Sequence, residues 1–174
     1  VVIAALELPA TLTTREQTLV LRRAGLGDLD ALMALLADDP ISAARGDQAQ
    51  ESDLPAYERA LADLIDDPSN EILLVEDAAG AVIATMQLTR IPGMARRGST
   101  RMLVEAVRVS SALRSGGVGS AMMRWVTDVA APATGSSIVQ LTSDEARIDA
   151  HRFYERLGFV GSHRGFKYAV TAAN

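Results

Sequence analysis

A chain of 174 residues is long enough for one compact domain and little more. Hydrophobic residues make up 48% and charged residues 22%, which excludes disordered, coiled-coil and collagen-like architectures. Seventeen Lys plus Arg against twenty-two Asp plus Glu leave a net charge of −5, so the basic footprint of a nucleic-acid binder is missing.

The elements follow in chain order. Residues 1–16 read as an N-terminal tail ahead of a single domain over 17–174. The apolar run Val1 to Leu6 is too short for a membrane span and has no basic residues before it, so a cytoplasmic chain without a secretory signal is expected. Thr18–Ala24 is a β-prone run. Asp28 reads as the N-cap of a helix with Leu29, Leu32, Met33 and Leu36 on one face, closed by Asp39-Pro40. After an aperiodic acidic stretch, Asp53-Leu54-Pro55 opens a second helix that Asp67-Pro68 ends. Glu71–Glu76 and Ala81–Thr89 around Gly80 read as a hairpin, and Arg101–Val109 as a further strand. A glycine-rich turn then passes into a helix carrying Val118, Met122, Trp125, Val126 and Val129 on one face. Ser137–Leu141 is a short strand. A helix with Ala146, Ala150, Phe153, Tyr154 and Leu157 in line stops at Gly158, and Phe159–Gly161 with Phe166–Val170 read as a final strand pair. The order predicts a mixed α/β domain.

Several chemistries are excluded directly. With no cysteine there is no disulfide, thiolate nucleophile or Cys-ligated metal, and His151 and His163 stand in no metal-ligand spacing, so no metal site is expected. No G-x-S-x-G elbow occurs.

The segment Arg114-Ser115-Gly116-Gly117-Val118-Gly119-Ser120 places small residues where a strand ends and a helix begins. Backbone N–H groups without helical partners can converge there on an anion, helped by the helix dipole and Arg114. The segment lacks the Lys-Ser/Thr of a P-loop, and Met122 stands where G-x-G-x-x-G would need a small residue. It does read R-x-x-G-x-G through Arg114, Gly117 and Gly119, and about thirty residues later comes Ala150-His151-Arg152-Phe153-Tyr154-Glu155-Arg156-Leu157-Gly158-Phe159. Together these motifs resemble the GCN5-related N-acetyltransferase (GNAT) superfamily.

The resemblance implies a mixed sheet of six to seven strands flanked by about four helices. It implies acetyl-CoA as cosubstrate, with its pyrophosphate on residues 114–120 and its pantetheine arm along the backbone of Val107, Arg108 and Val109. Many members carry Asn seven residues before the motif tyrosine, where this chain has Arg147, which is placed with the cofactor-binding residues. Glu105 shares a strand face with Leu103, Val107 and Val109, and burial on that stripe would raise its pKa toward the range of a general base. The resemblance assigns the same role to a carboxylate on this strand. A solvated Glu105, or one paired with Arg101 or Arg90, is the alternative. Tyr154 reads as a core tyrosine with its hydroxyl at the rim, and by resemblance as the acid that protonates the departing thiolate.

The resemblance implies that the acceptor enters between Ile41–Tyr57, which carries Asp47, Glu51 and Asp53, and roughly Ser162–Tyr168. An acidic rim suits a cationic amine, small molecule or peptide. The family habit of pairing through strand edges makes a homodimer the expected assembly. A non-catalytic acyl-CoA sensor of the same fold is the competing function.

Overall fold

The computed structural model describes residues 2–170, which fall into two compact units that divide between 141 and 142. The first holds a six-stranded sheet: β1 Ala10–Thr13, β2 Thr18–Arg23, β3 Asn70–Glu76, β4 Val82–Ile91, β5 Arg101–Val109 and β6 Ile138–Leu141. Spatial order equals chain order. All neighbours are antiparallel except β5 and β6, which run parallel from Arg101 opposite Ile138 to Val104 opposite Leu141. A parallel pair needs a crossover, and the helix following the glycine-rich turn supplies it.

The helices of this unit are α1 Leu29–Ala37, α2 Pro40–Ala44, α3 Leu54–Asp66, the single turn α4 Ala95–Gly98, α5 Val118–Trp125 and, after a π-helical turn over Val126–Ala130, the short α6 Ala131–Ala133. β3 is apolar without alternation because both its faces are covered: Leu73, Leu74 and Val75 are all buried. On one face Leu74 meets Leu32 of α1 and Leu61 of α3. α5 packs against β1 and β5 and buries Val118, Ala121, Met122, Met123 and Trp125. Among the described residues no helix is long and apolar enough to cross a membrane.

Several sequence expectations change. The segment assigned as a tail is part of the sheet unit: β1 pairs with β2 from Ala10 opposite Leu21 to Thr13 opposite Thr18, and Ile3, Leu6 and Leu12 are buried. Four consecutive residues with a single inward side chain give too short a period to stand out in a sequence. α1 ends at Ala37, just ahead of Asp39-Pro40 as expected, but Pro40 also starts a second, unexpected helix. It sits at N1, where its missing N–H costs nothing, and the Asp39 carboxylate accepts the Ser42 N–H at 2.8 Å. Asp28 precedes α1 but does not cap it, because its carboxylate accepts both Arg22 Nη atoms at 2.8 Å and the Gly25 N–H at 2.8 Å. Arg22 accordingly holds Asp28 below the usual carboxylate range. In the π-helical turn after α5, Val129 is exposed whereas Val126 and Ala130 are buried, since that turn adds residues per turn and rotates the apolar face expected to include Val129.

The second unit contains α7, Ile148–Arg156. The expected strand pair at Phe159–Gly161 and Phe166–Val170 is absent. Residues 159–170 carry no regular structure, and Val160, Phe166, Tyr168 and Val170 are exposed. Gly161, Ser162 and Gly165 interrupt the run, and Phe159–Gly161 offers too few residues for a ladder.

Candidate active site

The site begins with an irregularity in β5. Across the β4–β5 ladder Thr85 pairs with Arg108 and Gln87 with Glu105, so Met86 alone stands opposite two residues, Ala106 and Val107. This is a β-bulge, and Ala106 takes a left-handed φ of 48° to make it. On the opposite edge the β6 ladder stops at Val104. The backbone of residues 105–109 therefore lies beyond the β6 ladder, bent away by the bulge, with amide and carbonyl groups available to an extended ligand. Arg108 buttresses the segment. Its guanidinium donates to the Val107 carbonyl at 2.8 Å and to Ser42 Oγ of α2 at 2.5 Å.

From Val109 the chain enters the glycine-rich turn. Ser115 and Gly117 both adopt left-handed φ, 74° and 83°, and α5 begins directly after them, so the amides of its first turn, at Val118, Gly119 and Ser120, have no acceptor within the helix. A Cβ on Gly116 would meet the Leu113 carbonyl at 3.2 Å, so small size matters there as well. Asp38, just past α1, anchors the turn: its carboxylate accepts the Ser111 N–H at 2.6 Å and the Ser111 hydroxyl at 2.8 Å. These bonds hold the Asp38 carboxyl below the usual range, led by the backbone bond. Arg114 donates to the Asp38 carbonyl at 3.3 Å.

The turn forms one wall of a hollow of about 570 Å³. The other wall is the β1–β2 turn, Thr13 to Glu16, and Arg124 of α5 also lines it. A second hollow, of about 260 Å³, lies by α1 and the start of α3, where Asp30 and Glu51 stand around Met33, Ala49 and Leu54. Tyr57 of α3 donates its hydroxyl to the Asp47 carboxylate in the preceding loop, and partial burial with that bond pushes the phenol up to about 12.

In the second unit, the end of α7 is a Schellman motif. Phe159 N–H reaches the Tyr154 carbonyl at 3.1 Å and Gly158 N–H the Glu155 carbonyl at 3.0 Å, with Gly158 at φ 89°. The ring of Phe159 packs edge-on against Tyr154 with centroids 5.8 Å apart, the hydrophobic contact this cap calls for. The Tyr-x-x-Leu-Gly-Phe pattern is thus a helix stop that fixes the tyrosine backbone and ring.

Residues 29–159 match the Acetyltransferase (GNAT) family. The chain belongs to the GNAT family. No curated protein matches it. Among solved structures it is similar to a transcriptional regulator from Bacillus halodurans C-125, at 34% identity and a TM-score of 0.82 over 87% of this chain and 99% of the other. An acetyltransferase from Trypanosoma brucei shares 22% identity at a TM-score of 0.69, covering 87% and 99% of the two chains. Glucosamine-6-phosphate N-acetyltransferase from Arabidopsis thaliana shares 17% identity at 0.68, covering 89% and 100%. The last two likenesses are of fold.

Against this GNAT frame, the residues singled out in the sequence fall as follows. Val107, Arg108 and Val109 lie at and after the bulge, and Arg114 to Ser120 make the turn. Glu105 is exposed, which departs from the expectation of burial on an apolar stripe. The buried residues of β5 are Met102 and Val104, on the opposite parity, and the bulge at Ala106 breaks the shared face of 103, 105, 107 and 109. Tyr154 and Arg147 are half-buried in the second unit, Arg147 at the start of α7. His151 is half-buried with Nε2 on the Asp144 carbonyl at 2.8 Å. Arg96 and Arg97 sit exposed in a left-handed turn. Sequence reasoning missed Asp38 and the 13–16 wall. Thr14 offered a faint signal, since a Thr ahead of a short polar run favours a hydroxyl-closed turn. Among the described residues no group of three or more His, Asp or Glu gathers to hold a metal ion.

Proposed function

We propose that this GNAT protein transfers the acetyl group of acetyl-CoA to a primary amine of a small molecule. The observation that carries the reading is the bulged β5 running straight into a left-handed glycine-rich turn, because one continuous stretch then offers a free strand edge and an anion cradle in the order of a pantetheine arm and its diphosphate. Acetyl-CoA supplies the activated acyl carbon and a thiolate leaving group. The amides of residues 118–120 hold the diphosphate, and the backbone of 107–109 aligns the arm and polarises the acetyl carbonyl. Glu105, exposed at the bulge, receives the proton the ammonium loses, through water, before the amine nitrogen bonds the acyl carbon. Tyr154 is assigned the proton that the departing sulfur takes up. The acidic hollow of Asp30 and Glu51 favours a cationic acceptor over an acidic one.

A thiol-release assay with acetyl-CoA against a panel of amines tests the reading. Glu105→Gln should lower kcat by roughly 10² to 10⁴ with unchanged coenzyme A affinity. Tyr154→Phe keeps the ring packing and should lower kcat alone. A rate unaffected by both substitutions would remove their catalytic roles. A second reading, an acyl-CoA sensor without turnover, is favoured by the 34% identical relative described as a transcriptional regulator. Binding of coenzyme A without thiol release across the whole panel would select it.

A further inference from the structure

We infer that Arg15 and Arg124 form a second phosphate subsite beside the glycine-rich turn, one that takes the 3′-phosphomonoester of coenzyme A and makes the N-terminal hairpin part of the cofactor site. The inference rests on the coenzyme A reading above. Residues 109 positions apart in sequence line one hollow of about 570 Å³, ample for more than the diphosphate that the turn's amides would hold. Arg124 stands four residues past Ser120, hence one helical turn and about 6 Å further along the same face of α5. Arg15 comes from the facing wall, on a turn tied by Thr14: the Thr14 N–H donates to the Gln17 carbonyl at 2.9 Å, and Thr14 Oγ1 accepts the Gln17 N–H at 3.1 Å and the Glu16 N–H at 3.2 Å. Neither guanidinium takes part in an ion pair among the described residues.

The two ends of the hollow differ in chemistry. Backbone amides suit a diester-like diphosphate, whose charge is spread over several oxygens. A phosphomonoester concentrates nearly two negative charges on one group at neutral pH, and the planar forks of two arginines match it in charge and geometry. Glu16 lines the same hollow and opposes that charge, leaving a net of one positive charge on the side chains.

The test is calorimetry with coenzyme A and with 3′-dephospho-coenzyme A. The wild type should prefer coenzyme A by roughly tenfold or more, as expected for charge-assisted bonds to a phosphate. Arg15→Ala and Arg124→Ala should each erase most of that preference by weakening coenzyme A alone, and Glu16→Gln should increase it. All three side chains are exposed, and unchanged melting temperatures will show the variants folded. Equal weakening of both ligands, or an unaltered preference, overturns the subsite while leaving the coenzyme A reading standing. A wild type that binds neither ligand overturns that reading itself.

Discussion

Asp38 joins three pieces of the sheet unit: its backbone lies just past α1, its carboxylate holds Ser111, and its carbonyl receives Arg114. The folded carboxyl is lowered from its ordinary value of 3.8 by the Ser111 bonds, so the anchor is present above that value and is lost as pH falls through the lowered one. Asp38→Asn keeps an acceptor oxygen but removes the charge. At neutral pH the variant should show faster amide exchange at Ser111 and weaker coenzyme A binding by a few fold, with both differences fading only below 3.8, as pH falls through the lowered value at which the folded wild-type carboxyl protonates. A difference that persists undiminished in acid would show the anchor is steric. Nothing in the sequence marked Asp38, because its partner lies 73 residues away and a lone acidic residue at a helix end has many ordinary uses.

At the scale of elements, β5 shows what was legible and what was not. Its extent was readable from its apolar and β-branched content, and the turn after it from three glycines in four positions. The bulge was not, because alanine carries no preference for left-handed φ and nothing local distinguishes Ala106 from a regular strand residue. The same irregularity moved Glu105 from an expected buried stripe to an exposed position. The bulge makes a prediction of opposite signs. Ala106→Gly relieves a left-handed alanine and should leave stability equal or higher by up to about 1 kcal/mol. Ala106→Val places a β-branched residue at φ 48° and should cost about 1–2 kcal/mol while weakening coenzyme A binding, as urea unfolding and calorimetry would register. If valine is tolerated on both counts, the bulge is not what keeps this strand edge open.

Across the whole molecule, the chain order of elements was readable because each is bounded by strong local signals, whereas the role of the first sixteen residues depended on a contact with α5 that no local pattern encodes. Leu12 is the inward residue of β1 and is buried. If β1 belongs to the sheet unit, Leu12→Ala should destabilise by the 2–5 kcal/mol typical of an emptied core leucine, here about 3 kcal/mol for an edge strand that can partly collapse. A chain of this size loses about 2–4 °C of melting temperature per kcal/mol, so the expected shift is roughly 10 °C. Thr11→Ala, on the exposed side of the same strand, should shift it by no more than about 1–2 °C. The pair separates two pictures. A large shift for Leu12 and a small one for Thr11 is the signature of one-sided burial, whereas two small shifts would return residues 1–16 to the status of a tail. The outcome also bears on the hollow beside the glycine-rich turn, because β1 carries the turn that presents Arg15, and a strand that frays would withdraw that guanidinium from α5.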